Sequence, residues 1–123
     1  MAHPQDRQFS FEKLLVWQFA LEALTATNLI AQAIPRPYCE VSEQVRRASI
    51  SIICNLSEGV GKDGRDQLRF FRIARGSTYE SAALVEGALR LRVISAEQRN
   101  CARQPLLSVA ALLSRLLLQR VSP

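Results

Sequence analysis

Histidine is almost absent from this 123-residue sequence, which contains only His3. Ser-His-Asp, Cys-His and histidine-ligated metal mechanisms all need a histidine as base or ligand, so one histidine near the terminus argues against each of them. Glu-x-x-His pairs are missing as well, which excludes the usual di-iron carboxylate bundle. We therefore predict a non-enzymatic protein with no catalytic site, no metal site and no cofactor.

Cysteine, glycine and proline are also scarce. The three cysteines are odd in number and show no C-x-x-C spacing, which argues against a disulfide framework and fits a reducing cytoplasm. The five glycines and five prolines gather at a few places and leave long stretches uninterrupted, as helices require. The glycine-rich segment 59–64 lacks the G-x-x-x-x-G-K-[ST] phosphate-loop pattern, so we interpret it as a helix–helix turn.

No long hydrophobic segment is evident. The most apolar run, residues 106–118, is about half the length of a bilayer span and contains Ser108, Ser114 and Arg115. The first eight residues are polar and do not resemble a signal peptide. These features predict a soluble, cytoplasmic protein without a membrane partner.

The sequence does contain four segments of helical periodicity. Apolar residues make up 48%, which excludes a disordered chain, and the length suits one domain. The predicted helices span approximately residues 12–33, 39–58, 65–92 and 96–120. Short links force antiparallel neighbours. We predict an all-α, antiparallel up-down-up-down four-helix bundle over residues 11–123, preceded by a flexible N-terminus at residues 1–10.

The second and third helices carry a seam of small and polar residues. Spacings of four and three from Val41 to Gly59 indicate a heptad seam, and the seam of the third helix contains Ala74, Ser77 and Ser81. If the two helices form a hairpin, five polar residues can meet across it: Ser51, Asn55, Glu58, Ser77 and Glu80. An acid/base or ligand site is the functional alternative. Without histidine or a metal pattern, we favour a structural network that sets helix register and subunit contacts.

The fourth helix is apolar on nearly all sides after Pro105, which is expected to kink or split it at Gln104. A helix that is apolar all round is buried on more than one side, which the last helix of a small monomer scarcely achieves. We predict self-association through this helix. The candidate interface residues are Leu106, Leu107, Leu113, Leu116 and Leu117. The alternative is that these leucines pack only over the ends of the bundle.

The net charge is +5, and fourteen of the sixteen cationic residues are arginines, whose planar guanidinium suits phosphate and carboxylate. Arg65, Arg69 and Arg72 share one helical face. The candidate nucleic-acid contacts are Arg46, Arg47, Lys62, Arg65, Arg69, Arg72 and Arg75. The spacing of the nearby Phe70, Phe71 and Tyr79 fits core packing better than base stacking. The alternative for the cations is a solvated face with ion pairs within and between subunits.

Several sequence blocks are recognisable: FEKL at 11–14, QVRRA at 44–48, NLSEGVG at 55–61 and FFRIARGS at 70–77, ending on Glu80. The combination of N-x-x-E-G-x-G with I-A-x-G-S-x-x-E resembles the bacterial four-helix-bundle proteins of the 23S rRNA intervening-sequence family, also called S23 ribosomal proteins. The resemblance implies a homopentamer. A more distant group of relatives are basic accessory proteins that work with a reverse transcriptase and its RNA.

Two functional hypotheses follow from these observations. The first is a homo-oligomeric bundle that binds RNA or a ribonucleoprotein through its arginine-rich surfaces. The second is a protein-interaction scaffold whose arginines form ion pairs within and between subunits and have no nucleic-acid role. Affinity for structured RNA that falls steeply with salt would distinguish the first from the second.

Overall fold

The computed structural model describes residues 9–121, apart from the side chains of Lys13 and residues 119–121. Most of the predicted flexible N-terminus, including His3, lies outside the described residues. The α-helices are α1 (Leu15–Ala33), α2 (Cys39–Val60), α3 (Gly64–Arg90) and α4 (Ala96–Val121). Short 3-10 helices at Ser10–Lys13 and Arg36–Tyr38 precede α1 and α2.

The four helices pack as an up-down-up-down bundle, as predicted. Each helix packs against the next one in sequence, α4 closes the bundle against α1, and α1 and α3 touch only slightly across the diagonal. The contact between α2 and α3 is the most extensive. Small residues on these helices, including Ala48, Ala74 and Ser77, lie in or beside the core and allow their backbones to approach closely.

Buried residues from all four helices form a single hydrophobic core, with Phe71 as its largest fully buried side chain. Five hydroxyl side chains are also buried, and four of them bond within their own helix. Thr27, Ser49, Thr78 and Ser81 each donate a hydrogen bond of 2.8 Å to the backbone carbonyl four residues earlier. The helix itself therefore satisfies these hydroxyls, and they need no partner from another helix.

The first helix begins later than the predicted residue 12. The backbone N–H of Phe9 donates to Glu12 Oε1 at 2.9 Å, which closes the short 3-10 helix. Leu14 is extended, with φ −81° and ψ 134°, and α1 starts after it. The Phe11 and Trp17 rings pack across this break with their centroids 4.6 Å apart. Local capping and ring packing thus override the helical periodicity of this segment.

The predicted turn between the second and third helices is confirmed. Gly61 ends α2, and α3 begins at Gly64, whose φ of +54° favours glycine over other residues. The buried Gln67 side chain holds this turn, because its Nε2 donates to the carbonyls of Gly59 and Lys62, both at 3.1 Å. Gln67 thereby ties the last turn of α2 to the connection that follows it.

The predicted split of the fourth helix at Gln104 is wrong, because α4 continues through Pro105 to Val121. The Pro105 ring is buried, and the packing of α4 in the bundle offsets the lost backbone hydrogen bond. The uninterrupted stretch Ala96–Leu118 is long and apolar enough to cross a membrane by length and composition alone. One such helix is weak evidence of a membrane span, and about 33% of its most apolar window, including Val109 and Leu113, is buried inside the bundle.

Candidate nucleic-acid and subunit surfaces

Four cationic side chains cluster where α2 turns into α3. Lys62 lies in the turn, and Arg65, Arg69 and Arg72, here named the α3 basic row, follow it on the exposed side of α3. Arg69 Nε lies 3.8 Å from Asp66 Oδ1 at the surface. Exposed ion pairs of this kind contribute at most about 1 kcal/mol, so this contact leaves the positive charge of the row largely available. The Arg69 guanidinium also lies 4.6 Å from the centroid of the Phe70 ring, which helps to orient it.

The other predicted nucleic-acid residues lie on different sides of the bundle. Arg46 lines a groove against Leu24 and Asn28 of α1. Arg75 is half-buried and donates from its guanidinium to Ser114 Oγ of α4 at 3.4 Å. Arg47 is exposed on α2. The seven candidates therefore do not form one patch, because helical geometry separates residues that the sequence places close together.

Three of the five residues in the predicted polar network do meet between α2 and α3. The Ser51 and Ser77 hydroxyls are 2.7 Å apart and share a hydrogen bond. Asn55 Nδ2 donates to the Ser51 carbonyl at 2.8 Å and to Ser51 Oγ at 3.0 Å. This chain of bonds sets the register of the α2–α3 hairpin.

The two carboxylates of the predicted network stay outside it. Glu58 and Glu80 are exposed, and neither forms an ion pair within residues 9–121. The register set by Ser51 and Ser77 places Glu58 toward the turn and Glu80 away from it. From the rise per residue, the two are about 15 Å apart along the hairpin. Over the same residues, no three His, Cys, Asp or Glu side chains group in a way that could hold a metal ion.

Three of the predicted interface leucines are core residues, which corrects that assignment. Leu106, Leu113 and Leu117 are 2%, 0% and 5% exposed within the protomer. Leu116 is half-buried and packs against the same core, whereas Leu107 is 51% exposed. Because α4 packs against both α1 and α3, two helices of the same protomer cover its apolar surface. Together they cover a wider part of α4 than one neighbouring helix could. Leu107 is thus the predicted interface residue most available to a second subunit.

An ion-pair cluster between α3 and α4 was not anticipated from the sequence. Arg99 Nε and a guanidinium nitrogen of Arg103 both donate to Glu86 Oε1, at 2.6 and 3.0 Å. The spacing of Arg99 and Arg103 by four residues, on one face of α4, was the available signal. The hydrogen bond from Arg99, with the charges of both arginines, holds the pKa of Glu86 below its ordinary value of 4.5.

The Glu86 cluster predicts a specific acid sensitivity. A carboxyl group whose pKa is lowered by folding stabilises the fold above its unfolded pKa, and this contribution disappears as the pH falls through the lowered value. The pH dependence of the unfolding free energy of Glu86→Gln should therefore be shallower below pH 4.5 than that of the wild type. Urea unfolding between pH 3 and pH 7 measures this, with Glu40→Gln on α2 as the control. Parallel curves for wild type and Glu86→Gln would contradict the prediction.

A second surface feature is a groove of about 600 Å³ between α1 and α4. It is lined by Glu22, Thr25, Ala26, Leu29, Ile30, Glu97, Gln98 and Cys101. The Leu29 side chain is largely exposed there. The groove is therefore apolar with two acidic residues, the opposite charge character from the α3 basic row.

These observations define an all-α, up-down-up-down four-helix-bundle protein that carries basic and acidic surfaces on different sides. The chain belongs to the 23S rRNA-intervening sequence protein family, whose profile matches residues 12–115. It is also similar in fold to a crystal structure from Bacteroides thetaiotaomicron, a protein of unknown function from the S23 ribosomal protein family. That similarity has a TM-score of 0.75 at 23% identity and covers 84% of this chain and 98% of the other. No curated protein matches the sequence.

Proposed function

We propose that this protein is a non-enzymatic, cytoplasmic homo-oligomer that binds RNA or a ribonucleoprotein through the α3 basic row. The observation that carries the proposal is the exposed cluster of Lys62 and the three arginines of the row. Within the part of the chain that the structure describes, its one ion pair is the surface contact of Arg69 with Asp66. Unneutralised arginines on one helical face suit a phosphate backbone. The family's description as an rRNA intervening-sequence protein also supports RNA as the polyanion.

The exposed Tyr79 strengthens this proposal. Its spacing predicted core packing, but its side chain is 60% exposed, whereas Phe71 is only 1% exposed. Arg65, Arg72 and Tyr79 follow one another at intervals of seven residues, which is close to two helical turns. They therefore lie along one line of the α3 surface. Aromatic side chains beside cationic residues are typical of surfaces on which unpaired bases stack. We therefore include Tyr79 in the proposed RNA surface.

Self-association forms the second part of the proposal. The α1–α4 groove offers apolar surface with Glu22 and Glu97, and α4 adds the exposed Leu107. The apolar part of this surface would pack against the next subunit and leave the α3 basic row exposed, and head-to-tail contacts form a ring when the rotation between subunits closes. The family resemblance suggests five subunits. Repetition of the basic row around a ring would strengthen binding to a long polyanion.

The scaffold alternative rests on Glu58 and Glu80. Both carboxylates are exposed without an ion pair within residues 9–121, and they flank the Ser51–Ser77 contact. On this alternative they would pair with arginines such as Arg47 of a neighbouring subunit. Glu58→Ala would then weaken the oligomer and leave any RNA binding unchanged.

The RNA proposal is tested by a charge-matched pair of double variants. Arg65→Gln/Arg72→Gln removes two cations from the row, and the control Arg36→Gln/Arg115→Gln removes two exposed cations elsewhere. Each phosphate contact contributes about −0.9 to the slope of log K against log salt concentration. Loss of two contacts in the first variant should therefore make this slope less negative by about two. Fluorescence anisotropy with a structured RNA from low to moderate salt measures affinity and slope.

Two outcomes would overturn the RNA proposal. One is an absence of RNA binding by the wild type at low salt. The other is an equal loss of affinity in both double variants, because general charge attraction would then account for the binding. Normal helix content in each variant, measured by circular dichroism, confirms that the comparison is between folded proteins.

A further inference from the structure

The α3–α4 corner, defined here by Arg90, Arg92, Arg99 and Arg103, has an unusual backbone. The chain leaves α3 through a Schellman turn, in which the Arg92 N–H donates to the Leu89 carbonyl at 2.9 Å and the Val93 N–H donates to the Ala88 carbonyl at 3.1 Å. This turn requires a left-handed residue, and Arg92 occupies that position with φ +61°. Among residues 9–121, it is the one non-glycine residue with a positive φ.

The arginine at this position has a backbone cost that glycine would not have. Glycine is the usual residue there, because a Cβ atom destabilises the left-handed conformation. The Arg92 side chain is exposed and forms no ion pair within the described part of the chain. The helix dipole at the end of α3 favours a cation here, and because no ion pair in the described residues engages the guanidinium, it is available to a ligand.

The surroundings of Arg92 supply further cations at fixed positions. An open surface depression of about 610 Å³ is lined by Glu86, Leu89, Arg90 and Arg92. On its α4 side, Arg99 and Arg103 converge on the Glu86 carboxylate.

Two guanidinium groups thus bind the Glu86 carboxylate, and two further arginines, Arg90 and Arg92, line the same depression as Glu86. The next acidic residue on α4, Glu97, lines the groove on the α1 side instead. The charge at the corner is therefore positive, and Glu86 fixes two of the arginines before any ligand arrives.

We propose that the α3–α4 corner is a phosphate-binding site, in which Arg90 and Arg92 contact the phosphate oxygens and Glu86 holds Arg99 and Arg103 in place. Arginine forks bind phosphate oxygens in pairs, and the open depression leaves room for a phosphate group beside Arg90 and Arg92. Arg72 and Arg90 are eighteen residues apart on α3, or about 27 Å. The corner is therefore a site separate from the α3 basic row, and it does not depend on the RNA proposal.

Arg92→Gly tests the site, because the same substitution has opposite effects on stability and on binding. Glycine relieves the left-handed strain, so the midpoint of thermal unfolding should rise by about 2–5 °C. Removal of one charged donor should weaken binding of inorganic tripolyphosphate about tenfold. Isothermal titration calorimetry at low salt measures the binding. Arg115→Gln, which removes an exposed cation at a distant position on α4, should bind tripolyphosphate like the wild type.

A competition experiment identifies the source of the phosphate. If tripolyphosphate displaces a labelled RNA from the wild type but not from Arg90→Gln/Arg92→Gly, the corner binds phosphates of the RNA. If tripolyphosphate binds without displacing the RNA, and Arg92→Gly weakens that binding, the corner takes a free phosphate compound.

Either result supports the site. No saturable tripolyphosphate binding by the wild type, or equal affinity in Arg92→Gly, would overturn it. A failure of the α3 basic row to bind RNA would leave the tripolyphosphate result unaffected, so the two proposals fail independently.

Discussion

Leu113→Ala is expected to lower the free energy of unfolding by about 2–5 kcal/mol, whereas Leu107→Ala should change it by no more than about 0.5 kcal/mol. Both leucines lie on α4, but Leu113 is fully buried and Leu107 is half exposed. Truncation of Leu113 removes buried methyl groups and leaves a cavity, because the surrounding helices relax only partly. Urea unfolding at one fixed protein concentration measures both variants, since subunit association also affects apparent stability.

The same pair of variants separates the two roles of the α4 leucines. Leu107→Ala should weaken self-association, seen as a loss of the oligomer in sedimentation equilibrium as the protein is diluted. Equal destabilisation by both substitutions would show that the structure assigns the α4 core face wrongly. An unchanged oligomer in Leu107→Ala would remove this residue from the subunit interface.

Gly59→Ala and Gly76→Ala should change stability in opposite directions. A Cβ atom at Gly59 would lie 2.7 Å from Phe71 Cε1 and 3.2 Å from Phe70 Cβ. The Phe71 ring is fully buried and has no room to move away, so overpacking should destabilise the protein by about 1–3 kcal/mol. A Cβ at Gly76 meets nothing within 4 Å, and alanine there should stabilise the exposed middle of α3 by about 0.5–1 kcal/mol.

Chemical denaturation of the two glycine variants tests whether α2 and α3 approach as closely as the structure shows. A stabilised Gly59→Ala protein would mean that the contact between Gly59 and Phe71 is looser than described. Because both changes replace glycine by alanine within a helix, the difference between them isolates tertiary packing from helix propensity.

The regular features of the bundle follow from patterns close together in the sequence. Helical periodicity, the glycine-rich turn after Gly59 and the short links predict four antiparallel helices, and the structure agrees. The predicted start of the first helix was three residues early, because the Glu12 cap and the packing of Phe11 on Trp17 are local details that periodicity does not contain.

The surfaces were less predictable than the fold. Periodicity identifies Tyr79 and Leu113 equally as apolar residues of a helix, yet one is exposed and the other is buried. Exposure depends on which neighbouring helices cover a face, and this depends on how all four helices pack together. The polar seam shows the same limit, because Ser51 and Ser77 meet while Glu58 and Glu80 lie at different levels of the hairpin.

The sequence by itself determined the all-α bundle, the family resemblance and the excess of arginine, since each depends on residue types and on spacings within a single helix. Only the tertiary structure decided that Leu106, Leu113 and Leu117 of α4 are buried within the protomer and that Glu86 of α3 binds both Arg99 and Arg103. It also showed that Arg92 occupies a left-handed position. These features depend on contacts between residues of different helices, or on the backbone angle at the end of one, and periodicity encodes neither.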